Sequence, residues 1–288
     1  MSFSLIGPGR VGQAVARRLS DAGYVLDAIV GRDLERAAEA ARFIGAAGRE
    51  STDVTDAGES ELVLLAVPDD DLRTVGWGFL SGKNVRPDTV MIHFSGIHCA
   101  DVLTADVPGT PNDALSIHPL QSFADPQRGY EALGGTPFAV EGAPHLLPLA
   151  ERIVKDLKGT PFHLASEHKA LYHAAACMTS NYLATLIASA EKVLTACDFS
   201  ADEARRLLGP LLQTTARNIA EIGPAEALTG PIARGDAQTM ARHLQVLDAQ
   251  KPAEAELYRF LGQLTIDVGM KKGTLSGPES EKLKKLLE

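Results

Sequence analysis

Three features of this sequence predict a doubly wound α/β half followed by an all-helical half. A short apolar strand near the N-terminus runs into a glycine-rich turn and then a helix. Apolar runs alternate with amphipathic segments through residue 165. From residue 166 onward that alternation stops and only helical patterning remains. A chain of 288 residues is long enough to bury two cores.

The first strand is Phe3-Ser4-Leu5-Ile6, and the helix after it shows its apolar stripe at Val11, Val15 and Leu19. Residues 24–30 form a second strand, and an alanine-rich helix follows over 34–43. A weak third strand is expected near 44–47. Residues 61–67 are almost wholly apolar and stop at Pro68, the signature of a parallel strand buried on both faces. Residues 89–94 repeat the pattern and end at Ser95-Gly96. Shorter strands are expected at 114–117, 137–140 and 161–164, with a helix over 144–157. Strand and helix in alternation imply a wound parallel sheet. In the second half one long helix is expected from Glu167 to about Ala196. A second opens at Asp198-Phe199-Ser200 and ends near Gly223-Pro224. Two more cover about 235–247 and 251–269, and a short charged helix follows Gly277-Pro278. The change of character sets the domains at 1–165 and 166–288.

Composition removes several function classes. Hydrophobic residues make up 45% of the chain and the formal net charge is −9. Lys282, Lys284 and Lys285 form only a mild basic stretch, so neither nucleic acid nor an anionic membrane is an expected partner. No apolar run approaches the length of a membrane span. The three cysteines, Cys99, Cys177 and Cys197, have no metal or disulfide spacing, so no metal site is expected and a reducing cytosol fits. A strand beginning at residue 3 leads to the same expectation of a cytoplasmic protein without a signal peptide.

Gly7-Pro8-Gly9-Arg10-Val11-Gly12 is a G-x-G-x-x-G turn between strand and helix, the context that makes this motif a dinucleotide site. Gly7 allows the tight turn, Gly9 lets a pyrophosphate approach the backbone, and Gly12 lets the helix pack on its strand. The helix N-terminus offers N–H groups and a positive dipole end to phosphate. Arg32 stands twenty residues after Gly12, where NAD folds carry an acid for the ribose 2′-hydroxyl. A guanidinium there favours a 2′-phosphate, hence NADP, and Arg10 can add a second cation. The alternative makes Arg32 a solvated turn residue and Asp33 an N-cap. Val67, Pro68 and Asp69 are expected to face the nicotinamide, whereas Asp69-Asp70-Asp71 read mainly as helix caps. Gly96 gives backbone access and Ser95 can bond a ribose, a substrate or its own turn. His93 reads as a core histidine, and Trp77 as packing.

Three further stretches carry a resemblance: Ser116-Ile117-His118-Pro119-Leu120-Gln121-Ser122-Phe123, Tyr172-His173 through Ser180-Asn181-Tyr182-Leu183, and Leu228-Thr229-Gly230-Pro231-Ile232-Ala233-Arg234-Gly235-Asp236. With the glycine turn, they make the chain similar to the β-hydroxyacid and 6-phosphogluconate dehydrogenase superfamily. Within it the chain resembles a branch of Rossmann-like NADP oxidoreductases with a C-terminal domain of unknown function. The first stretch is also similar to the His-Pro segment of prephenate dehydrogenases. The resemblance implies a Rossmann domain binding NADP, a helical domain like that of 6-phosphogluconate dehydrogenase, a homodimer through that domain, and a substrate held between the two. In β-hydroxyacid dehydrogenases a Lys four residues before an Asn moves the proton. If Asn181 is that Asn, Cys177 occupies the Lys position.

The proton therefore needs another carrier. His118 is the first candidate, as a residue titrating near neutrality at the expected carboxyl-end rim; the competing reading is a turn histidine. His173 is the second, with Ser180 seven residues on and Asn181 and Cys177 flanking the same side of the helix. That stripe either lines the cleft between the domains or serves helix contacts. Cys177 reads as a small buried apolar residue. Arg234 either binds a substrate carboxylate or pairs with Asp236 at a helix cap. The resulting expectation is an NADP-dependent oxidoreductase acting on a small carbonyl, hydroxy-acid or imine substrate. A regulatory NADP-binding protein and a deazaflavin-dependent NADP reductase are the alternatives.

Overall fold

A computed structural model describes residues 1–82, 84–107, 109–110 and 113–288. Among these, β1 (Ser2–Ile6), β2 (Val25–Val30), β3 (Glu50–Ser51), β4 (Leu62–Leu65), β5 (Val90–His93), β6 (Asp113–Pro119), β7 (Pro137–Gly142) and β8 (Thr160–His163) join in one sheet. Its order is β3-β2-β1-β4-β5-β6-β7-β8. Neighbours pair in parallel except β6 with β7, which are antiparallel and set Glu141 opposite Ser116. The six helices of this part are α1 (Arg10–Asp21), α2 (Leu34–Ile44), α3 (Leu72–Leu80), α4 (Pro126–Ala132), α5 (Leu147–Asp156) and α6 (Lys169–Thr179). Side chains alternate across a strand. Leu62 and Leu64 of β4 therefore enter a core with α1, α2 and α5 on one face, while Val63 and Leu65 enter a second core with Leu72 and Phe79 on the other. That double burial explains the unbroken apolar run.

The compact units are Met1–Ser180 and Asn181–Glu288. The second comprises α7 (Asn181–Thr195), α8 (Ala201–Ala227), α9 (Ala237–Gln250), α10 (Pro252–Lys272) and α11 (Gly277–Leu287). Ser200 with Glu203 and Ser276 with Glu279 form capping boxes that start α8 and α11. Ile232, Met240, Leu244, Ile266, Leu275, Leu283 and Leu287 build its core. Only Ala204 of α8 is buried, and Leu207, Leu211 and Ile222 are exposed.

Several expectations change. Ile44 ends α2 inside the core and Gly45 closes that helix in the left-handed conformation, so the third strand is the two-residue β3 rather than 44–47. The helix expected as one piece from 167 to 196 is interrupted at Ser180, whose φ/ψ of −108°/−65° is distorted from ideal helix geometry, and this separates α6 from α7. The patterning boundary at 165–166 thus lies before α6, and the compact division falls after it. The end expected near Gly223-Pro224 holds: Gly223, at φ 80° and ψ 160°, leaves the helical conformation, and the short piece from Pro224 to Ala227 follows across that kink. Trp77 is 52% exposed instead of packed. Asp69-Asp70-Asp71 form a single 3-10 turn ahead of α3; Asp71 makes no side-chain cap bond, and what remains of the capping reading is the acidic charge at the start of this helical segment, which matches its dipole.

Candidate functional site

The glycine turn is built by close contacts. Gly7 has φ +86° and donates its N–H to the Val30 carbonyl at 2.9 Å. A Cβ at Gly7 would lie 2.7 Å from Val67 Cγ1, and one at Gly12 would lie 2.8 Å from Ala66 Cβ. Gly9 differs, because its missing Cβ would meet only the Ala66 carbonyl oxygen at 3.6 Å. The fold itself leaves room there, so the protein's own packing does not require a glycine, and a ligand could approach that backbone. α1 begins at Gly9 with no capping side chain and no acidic residue in its first turn. Those exposed N–H groups fit the diphosphate of a dinucleotide. Gln13 braces the turn by donating from Nε2 to the Pro8 carbonyl at 2.8 Å.

Gly31 packs beside Pro8 at the end of β2, which brings the Arg32 turn next to the glycine turn. Asp33 caps α2 by accepting from the Glu35 and Arg36 N–H groups at 2.9 and 3.1 Å. Its carboxylate is therefore engaged on the helix, and the exposed Arg32 and Arg10 are the cations of this corner. Because β1, β2, β4, β5 and β6 are parallel, Gly7, Arg32, Val67-Pro68-Asp69, Ser95-Gly96 and His118 lie along one carboxyl edge. The strand order reverses at β1, where ligands of such sheets bind.

Beyond β4 that edge carries a histidine cluster. His93 is fully buried; its Nδ1 accepts the Ser95 N–H at 3.1 Å and its Nε2 lies 3.1 Å from the Cys99 carbonyl, which it can meet only as a donor. Both ring nitrogens serve the turn, so His93 is structural. Burial, followed by the Lys169 charge, pushes its pKa down to about 3. In the unfolded chain the ring titrates near 6.5, so between pH 6.5 and 3 the unfolded state binds the extra proton and stability falls as pH falls. His93 alone is expected to contribute a loss of about 3 kcal/mol by pH 4. Urea midpoints measured from pH 7 to 4 should therefore fall more steeply for the wild type than for His93→Gln. Equal slopes would refute the assignment.

Ser95 uses its hydroxyl in its own turn, accepting from the N–H groups of Ile97 and His98 at 3.3 and 3.2 Å. Gly96 is buried beneath two imidazoles: a Cβ there would lie 2.8 Å from His118 Nε2 and 2.7 Å from His173 Cδ2. The His118 and His173 ring centroids are 6.1 Å apart and nearly perpendicular. His118 Nδ1 pairs with the Tyr172 hydroxyl at 2.8 Å. Burial lowers the His118 pKa to about 4, helped by the neighbouring His173 and Lys169, and burial pushes Tyr172 up to about 12. At neutral pH the phenol keeps its proton. Donating it to Nδ1 assigns the ring proton of His118 to Nε2, above Gly96. Cys177 Sγ stands 3.9 Å from His173 Nε2, one turn along α6.

Lys169 was not expected here. Its side chain is 1% exposed; Nζ donates to Ser116 Oγ at 2.5 Å, points to the Ser95 carbonyl at 3.4 Å and lies 3.9 Å from Glu141 Oε2. Burial lowers its pKa, and Glu141 opposes the shift. The signal was present: Lys169, Tyr172, His173 and Cys177 share one face of α6, while Leu171 and Met178 point to solvent.

The structure thus gathers His118 and His173 over Gly96, with Cys177 beside His173. Ser180 is exposed at the end of α6, and Asn181 is exposed at the start of α7 in the second unit. Arg234 is exposed in the 3-10 turn Ile232–Arg234, and Asp236 caps α9 through the Thr239 N–H at 3.0 Å. Among the described residues, no group of three or more His, Cys, Asp or Glu is placed to hold a metal ion, and no helix is long and apolar enough to cross a membrane.

Residues 1–119 match a Rossmann-like domain family, and residues 136–265 match a domain of unknown function, DUF2520. The chain has no significant match among curated proteins. Among solved structures it is similar to a Bacteroides fragilis protein described as an NADP oxidoreductase, with 25% identity, a TM-score of 0.76, and coverage of 92% of this chain and 98% of that one. A Thermotoga maritima protein has 24% identity, a TM-score of 0.74, and coverage of 95% and 100%. A 1-pyrroline-5-carboxylate reductase from Streptococcus pyogenes shares the fold at 18% identity, with a TM-score of 0.62 and coverage of 99% and 98%. The chain therefore joins a Rossmann-like sheet to a helical region and shares its fold with solved oxidoreductases.

Proposed function

We propose that this chain is an NADP-dependent oxidoreductase acting on a small carbonyl, hydroxy-acid or imine substrate at the carboxyl edge of its sheet. The observation that carries this reading is the uncapped, acid-free N-terminus of α1 behind Gly9, on the same edge as a neutral imidazole over Gly96. The similarity to the Bacteroides fragilis protein agrees with it. The nicotinamide, when bound, supplies or accepts the hydride. Gly7, Gly9 and Gly12 shape the phosphate cradle, and Arg32 with Arg10 attracts a 2′-phosphate. When a carbonyl is reduced its oxygen takes one proton. His118 Nε2 gives that proton as Nδ1 takes the one from Tyr172, and the half-exposed phenol recovers its own from water. In the reverse direction each transfer runs backward. His173, beside the same ring, bounds the substrate position.

Calorimetric titration with NADPH, NADH and a deazaflavin tests the cofactor. NADPH oxidation over a panel of keto acids, aldehydes and cyclic imines tests the reaction. Tight NADPH binding without turnover on any of them would favour a regulatory nucleotide-binding protein. Arg32→Asp is expected to weaken NADPH by about tenfold or more while leaving NADH within about twofold, since it removes a bidentate phosphate partner and adds a like charge. An unchanged ratio of the two affinities would remove Arg32 from the site.

A further inference from the structure

Ser116 and His118 are two residues apart on β6 and point to the same face of the sheet. Lys169 and Tyr172, three apart on α6, point to one face of that helix. The two elements meet as a two-rung ladder: Lys169 Nζ on Ser116 Oγ at 2.5 Å, and the Tyr172 hydroxyl on His118 Nδ1 at 2.8 Å. The lower rung is a buried ammonium with three acceptors around it. Besides Ser116 these are the Ser95 carbonyl, next to the glycine beneath His118, and Glu141 on β7. Glu141 is itself fixed, accepting the Ala100 N–H at 2.8 Å and the Ser166 hydroxyl at 2.9 Å. Two hydrogen bonds and an ion pair hold this ammonium in place, and a buried charge acts on its neighbours with little screening.

We propose that Lys169 is a positioning residue for His118: its ammonium, clamped one rung below the His118–Tyr172 pair, fixes the place of that imidazole and opposes a second positive charge on it. The inference rests on the proposed proton role of His118. It gives that role a definite form, in which His118 meets the substrate as a neutral Nε2–H donor and is not stored as imidazolium. The charged and titratable groups around the ladder are Glu141 from β7, Asp69 beyond β4, His93, His98 and Cys99 from β5 and its following turn, and His173 and Tyr172 from α6. Burial of the ring, then His173, then Lys169 disfavour a positive charge on His118.

The test uses the full chain without ligand and follows the His118 ring by NMR titration, the resonance being identified by its loss in His118→Gln. Removing the cation alone would strand Glu141 in the interior, so the main variant is Lys169→Met/Glu141→Gln, which removes both charges. Its His118 midpoint is expected to rise by about half a pH unit. Ser116→Ala keeps both charges but releases the ammonium from its place, and a smaller rise in the same direction is expected. If the double variant does not fold, Ser116→Ala decides alone. A midpoint that stays at the wild-type value in every folded variant overturns the proposal. Where a substrate has been found, the acid limb of the kcat/KM profile should move upward with the NMR midpoint. NADPH affinity is measured on the same samples. Its absence in the wild type would defeat the proposed function, whereas the titration would still decide the role of Lys169.

Discussion

His118→Ala is expected to lower turnover by about 10²–10⁴-fold, the range for loss of a positioned proton carrier, while NADPH affinity stays within about twofold of wild type. The reason is spatial. His118 sits at the end of β6 over Gly96, whereas the glycine turn lies on the far side of β4 and β5. Removing the ring leaves the Tyr172 hydroxyl without its partner, and water can replace it because Tyr172 is half-exposed. A modest stability change is therefore compatible with a large kinetic one. Stopped-flow turnover and calorimetric titration on one preparation check the pair of outcomes. Loss of both activities would mean that His118 supports the nucleotide site, and retention of both would make it a turn residue.

Gly12→Val is expected to reduce NADPH affinity by at least about a hundredfold and to cost about 1–3 kcal/mol of stability. A first side-chain atom at Gly12 already lies 2.8 Å from Ala66 Cβ and 2.9 Å from both the Gly7 carbonyl oxygen and Leu5 Cδ1. Two of these are parts of the strand and turn that hold the helix, so α1 must slide outward and carry its N-terminal N–H groups away from the edge. Gly9→Ala makes the informative contrast. Its new atom meets the protein only at 3.6 Å, so stability should change little while affinity still falls. Thermal melting and NADPH titration of both variants check this. Full affinity in Gly9→Ala would show that no phosphate approaches that backbone.

Sequence patterning revealed most of the sheet because burial on two faces leaves a plain record. The run from Leu62 to Leu65 is apolar at every position, and each neighbour enters a different core. The glycine turn was legible for a similar reason, since steric demands at Gly7 and Gly12 are local. β3, with two residues, leaves too little pattern to place. The break at Ser180 has no proline or glycine to announce it. Lys169 escaped notice because lysines are seldom fully buried and because α6 inverts the usual arrangement. Leu171 and Met178 face outward while the polar stripe faces the sheet. The sequence placed His173 and Cys177 on that stripe together with Ser180 and Asn181, which are exposed, and left out Lys169 and Tyr172, which the structure adds.

The antiparallel step between β6 and β7 has a consequence for where chemistry can be assembled. After it, β8 runs parallel to β7 and delivers the chain to the height of Ser116, level with the last residues of β4 and β5 and two residues short of His118. α6 then ascends alongside β6, touching it first at Ser116 and next at His118. Had the last two strands kept the direction of the others, the following helix would have started at the brim and descended away from it. Reversal turns the helix into a riser, so that one body of the protein furnishes the imidazole, the phenol and the cation beneath them from its own chain.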